Sequence, residues 1–102
     1  MMPSHPLVVE DFLGWMASER GRSANTLAAY RRDLTSYEGW LAERALTVSS
    51  VARADIDDFV QARRAGGAAP SSVARQLAAV RMLHRFMCEE GVRADDPTAD
   101  VE

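Results

Sequence analysis

Apolar residues recur at spacings of three and four along almost the whole chain, and no stretch alternates over the length of a strand. This periodicity admits helices and argues against a sheet. The clearest case is Leu27, Tyr30, Leu34, Tyr37 and Leu41, a continuous stripe on a helix that Ser23 caps and that ends near Arg44. A first helix is expected from about Pro6 to Arg20, with Pro6 at its opening, Val9, Phe12, Leu13 and Met16 inward, and Gly21 as its stop. A third, from about Ala54 to Ala65, turns Ile56, Phe59 and Val60 inward. Asp55, Asp57 and Asp58 fall in its first turn, where carboxylates complement the helix dipole, and Gly66-Gly67 ends it. A fourth spans about Pro70 to Glu90, with Val73, Leu77, Val80, His84 and Met87 on its core face. Met82 and Phe86 lean elsewhere, so this helix should bury more than one side, and Gly91 closes it. Asp95-Asp96-Pro97-Thr98 reads as a turn. The expected fold is all-α, a compact four-helix domain packed as an orthogonal bundle.

The chain has 102 residues, enough for one domain around one core, here expected to be ordered over about residues 6–94. The charged end from residue 95 reads as the start of a linker to a further domain. No run approaches a membrane span, and the N-terminus lacks the basic-then-apolar pattern of a secretory signal. Cys88 is alone, which excludes an internal disulfide and makes the cytoplasm the default location. His5, His84 and one cysteine make no zinc pattern, and the acids of the third helix do not match a calcium loop. There is no glycine-rich phosphate loop and no nucleophile elbow. The expectation is a non-enzymatic domain without metal or cofactor.

The formal charge is −3, but its distribution is uneven. Arg20 to Arg32 contains four arginines and no acid, and Phe59 to Cys88 five arginines and no acid, whereas Glu89 to Glu102 has six acids against Arg93. All twelve cationic residues are arginine, the side chain whose planar fork can hold phosphate or guanine bidentately. Two helix starts repeat one inventory. Ser23, Asn25 and Thr26 precede Arg31-Arg32, and Ser71-Ser72 precede Arg75, Arg81 and Arg85. Free N–H groups at a helix start attract phosphate, and hydroxyl, amide and guanidinium donors add to that grip. Composition alone leaves two readings open: a DNA-gripping surface, or capped helices with solvated arginines.

Other candidates have plainer readings. Tyr30 lies on the core stripe with no base near it in sequence, so it is read as a buried ring and not a nucleophile. His84 is read as a core histidine with one satisfied nitrogen. Trp15 and Trp40 are read as core or interface residues before base-stacking ones, and Cys88 as a small hydrophobe.

Phe12-Leu13 ahead of Glu19-Arg20-Gly21, followed by Ser-Ala-Asn-Thr-Leu-Ala-Ala-Tyr-Arg-Arg-Asp-Leu over residues 23–34, resembles the opening of a tyrosine recombinase of the XerC/XerD type. Residues 69–81, Arg85-Phe86, Glu90-Gly91 and Asp96-Pro97 resemble that family's fourth helix and domain exit, so the likeness covers about Val8 to Val101. It implies an N-terminal core-binding domain of SAM-like fold, one half of a clamp around double-stranded DNA. Cleavage through a phosphotyrosine would belong to a C-terminal domain outside this chain. It further implies four subunits on two recombination sites, with itself or a paralogue as partner, the isolated domain remaining monomeric. Carried over by position, the DNA contacts are Ser23, Asn25, Thr26, Tyr30, Arg31, Arg32, Ser71, Ser72 and Arg75, with Arg81 and Arg85 beyond. The chain departs from the family in having no lysine, in its net acidity and in Gln76, which occupies a place that is often basic. The rival expectation is a helical protein-interaction domain that uses exposed apolar residues such as Trp15 and Met82.

Overall fold

A computed structural model describes residues 7–100. Four helices run in order, α1 (Val8–Glu19), α2 (Ala24–Ala42), α3 (Arg53–Ala65) and α4 (Pro70–Glu89), and no strand occurs among the described residues. The expected opening of α1 at Pro6 lies outside them.

Local chemistry accounts for most helix ends. Ser23 Oγ accepts the Thr26 N–H at 3.2 Å, the expected cap of α2. Pro70 occupies the first turn of α4, where its missing N–H costs nothing. At the end of α3, Gly67 takes φ +87° while the Ala68 N–H reaches Arg63 O. At the end of α4, Gly91 takes φ +73° while the Val92 N–H reaches Met87 O. α2 closes in the same way without a glycine: Ala45 adopts φ +57° and the Leu46 N–H reaches Leu41 O. α3 begins at Arg53, slightly earlier than the acid cluster suggests. Only Asp55 lies in its first turn, its carboxylate accepting the Ala52 N–H at 2.9 Å, while Asp57 and Asp58 are exposed beyond it.

α4 is the central element and packs against each of the other three helices. Its buried residues, from Val73 and Gln76 through Leu83 and His84 to Phe86 and Met87, go around much of its circumference, as the outward lean of Phe86 implied. Phe86 meets Phe12 and Trp15 of α1 at ring separations of 5.6 and 5.5 Å. Tyr37 of α2 meets Phe59 of α3 edge-on at 5.2 Å. Phe12, Met16, Leu34, Leu41, Ile56, Leu83 and Met87 are fully enclosed. Each such side chain contributes about 1.5–3 kcal/mol by leaving water, which holds the short helices in place.

His84 lies inside this core as expected, with Nε2 2.8 Å from the Tyr37 hydroxyl and Nδ1 without a partner among the described residues. The chain beyond α4 folds back on the domain. Arg93 donates to Val48 O at 2.9 Å and pairs with Asp95, Asp96 accepts the Thr98 N–H, and Pro97 and Thr98 are buried.

Candidate nucleic-acid interface

α2 and α4 lie against each other, and the two arginine-bearing helix starts therefore belong to one packed unit. Thr26 and Ala29 of α2 and Ser72 of α4 are half-buried, while Ser23, Asn25, Arg32, Ser71 and Arg75 are exposed. Tyr30 is half-buried on the stripe that leads into the core.

The centre of the seam is Asp33. Its carboxylate is almost fully enclosed and accepts two hydrogen bonds from Arg75, Nε to Oδ2 and Nη2 to Oδ1, both at 2.9 Å. Its backbone carbonyl accepts the Gln76 side-chain amide at 2.9 Å, and Gln76 Oε1 accepts Arg63 Nε of α3 at 2.8 Å. Three helices are thus tied through one buried polar network, each of whose named groups is paired, as a low-dielectric interior requires. Gln76, singled out for a place that is often basic, is buried here and works as a strut between helices.

The structure separates the adjacent arginines of α2. Successive helical residues point about 100° apart. Arg31 turns towards α1, where it pairs with the exposed Glu10, whereas Arg32 is exposed. The arginines of α4 also spread. Arg81 is half-buried and, with Arg64, borders a hollow of about 450 Å³ floored by Ala68, Pro70, Val73, Ala74 and Leu77. Arg85 is exposed. From helical geometry Arg81 stands about 120° around α4 from Arg75, towards α3. The arginine held on the seam is therefore Arg75, while Arg32 is exposed about 100° around α2 from Asp33, and Arg31 and Arg81 turn to other faces.

Sequence reasoning did not find Asp33 as the partner of Arg75, nor Glu10 as that of Arg31. A signal for the first existed: Asp33 precedes Tyr37 by four residues and Trp40 by seven, so it points inward. An inward carboxylate demands a cationic or N–H partner.

Trp15 and Trp40 are half-buried ring contacts. The Arg20 guanidinium lies 5.6 Å from the Trp15 ring, and that of Arg44 lies 3.8 Å from Trp40. Met82 is half-buried too, so the rival reading loses the exposed apolar residues it named. Among the described residues no cluster of His, Cys, Asp or Glu is arranged to hold a metal ion, and no helix is long and apolar enough to cross a membrane.

Comparison with known proteins agrees with this architecture. Residues 9–91 match the family described as "Phage integrase, N-terminal SAM-like domain". The chain is 41% identical over 96 residues to the tyrosine recombinase XerD of Brucella suis, covering 94% of this chain and 31% of the relative. It is 39% identical over 94 residues to that of Rhizobium meliloti, covering 92% and 30%. It is 36% identical over 94 residues to that of Agrobacterium fabrum, covering 92% and 28%. The chain thus spans less than a third of the length of these relatives. The four helices, their order and the matched span together show that this chain belongs to the phage integrase N-terminal SAM-like domain family.

Proposed function

We propose that this domain binds double-stranded DNA along the α2–α4 seam and serves a longer site-specific recombinase as one half of a clamp. The observation that carries the reading is the pairing of Arg75, near the hydroxyl-bearing start of α4, with Asp33 of α2, which leaves the Arg75 side chain half-exposed on the packed pair of helices, with Arg32 exposed one residue before Asp33. Ser23, Asn25, Thr26, Ser71 and Ser72 supply short-range donors to the phosphate backbone, Tyr30 its hydroxyl, and Arg31, Arg81 and Arg85 the flanking positive charge. Strand cleavage and rejoining would fall to a catalytic domain outside residues 1–102. The longer protein would act in the cytoplasm as four subunits on two recombination sites, with itself or with a paralogue. The domain's own part is positional: it adds backbone contacts and holds the duplex in register. The similarity to proteins named tyrosine recombinase XerD supports this reading.

The test is a fluorescence-anisotropy titration with duplex DNA over a range of salt concentrations. With about three to five phosphates neutralised, log K should fall against log [salt] with a slope of about −2.7 to −4.5. Arg32→Gln should weaken binding to every duplex alike and reduce the slope by about one. Absence of binding at low salt, or affinity indifferent to salt, refutes the proposal.

A further inference from the structure

Arg75 is held by a carboxylate that is itself buried. The Asp33 side chain is 8% exposed, and that of Arg75 is 51% exposed. The contact is side-on: Nε and Nη2 of Arg75 donate to Oδ2 and Oδ1 of Asp33, each at 2.9 Å. A guanidinium has five N–H groups in one plane, and this pairing uses only the inner edge. The remaining N–H groups, on Nη1 and the far side of Nη2, lie along the outer edge, which is the end-on fork. Asp33 in turn is fixed through its backbone carbonyl, which takes the Gln76 amide, itself braced by Arg63. The orientation of this exposed cation is therefore set from within the core.

We infer that Asp33 is a positioning residue for DNA binding, which never meets the nucleic acid but locks the Arg75 guanidinium with its end-on fork facing a phosphate above the α2–α4 seam. The inference rests on the DNA-binding reading proposed above. The fork matches the two non-bridging oxygens of one phosphodiester, and its orientation costs nothing further when the duplex arrives. A point-charge view has the opposite sign. A carboxylate beside a polyanion repels it, so its removal should tighten binding. A further distinction concerns lysine. A single ammonium on a flexible stem can pair with Asp33 or reach the phosphate, whereas arginine does both at once with different edges.

The experiment compares the wild-type chain, Asp33→Asn, Arg75→Lys, Arg75→Gln, Arg32→Gln and the double variant Asp33→Asn/Arg75→Lys against one labelled duplex at low salt. Thermal melts confirm that each protein is folded. Asp33→Asn should bind about 3–10-fold more weakly despite having lost a negative charge, and Arg75→Lys should fall about as far as Arg75→Gln. In the Asp33→Asn background the difference between arginine and lysine should shrink to less than about twofold, a coupling that a merely structural role would not produce. Binding by Asp33→Asn as tight as wild type or tighter overturns the inference, as does wild-type affinity in Arg75→Lys. Should Asp33→Asn fail to fold, the comparison of Arg75→Lys with Arg75→Gln decides alone. If the wild type binds, Arg32→Gln weakens it and Asp33→Asn tightens it, the DNA reading stands and the role of Asp33 falls. If the wild type does not bind, both fall.

Discussion

The buried His84–Tyr37 pair makes stability depend on pH in a calculable direction. His84 is fully enclosed, and burial, helped by nearby Arg93, pushes its pKa from 6.5 down to about 4, with Asp96 and Asp95 opposing weakly. Burial likewise pushes the Tyr37 hydroxyl far above its ordinary range, so both partners are neutral across the physiological window. Between about pH 4 and 6.5 the unfolded chain binds a proton on this histidine that the folded chain does not. Stability from this group is therefore complete above about pH 6.5 and is lost as pH falls, by up to about 1.4 kcal/mol per pH unit. The full loss, reached below about pH 4, is about 3 kcal/mol. That is a sizeable part of the ~5–15 kcal/mol that holds a small domain together. Burial and the neighbouring Glu10 push the Glu38 carboxyl upwards, so Glu38 works in the opposite sense. The measurement must therefore compare two proteins. Urea denaturation of the wild type and of His84→Leu at pH 7.0, 6.0 and 5.0 isolates the histidine, because the carboxylates are common to both. The variant should start about 1–3 kcal/mol lower at pH 7, having orphaned the Tyr37 hydroxyl. It should then lose less than the wild type as pH falls, so that the gap narrows. A gap that stays constant, or a His84 ring proton that titrates near pH 6.5 by NMR in the folded protein, refutes the reasoning.

Two further perturbations test local features. Ala45→Gly should raise stability by about 0.5–1 kcal/mol, read as a higher melting temperature, because a left-handed backbone strains any residue with a Cβ and Ala45 sits at φ +57°. Arg93→Ala should free the segment over residues 95–98, which Arg93 holds through Val48 O and Asp95, and faster amide exchange there with unchanged exchange in α2 would show it.

Local signals made the helices legible. Ser23, Pro70, Gly67 and Gly91 each act within a turn of their own position, so the start of α2, the start of α4 and the ends of α3 and α4 could be placed from neighbours in sequence. The end of α2 was harder to place, because Ala45 carries no turn signal and takes its positive φ as the chain turns to pack Leu46 against the core. The candidate site was legible as an inventory of donors and cations but not as an arrangement. Arg31 and Arg32 are alike in sequence and part company because α1 presents Glu10 to the first.

Spacing and capping alone decide that this chain makes four helices and which stripe of each turns inward, since both act over a turn or two of backbone. Their mutual register is a different matter. Asp33 meets Arg75 across 42 positions, and Arg63 meets Gln76 across 13, through helix contacts that no local pattern encodes. Only packing, which selects one alignment of α2 on α4 by burying apolar surface with Asp33, Arg75 and Gln76 paired, turns Arg75 from one exposed cation among several into one held in a defined orientation.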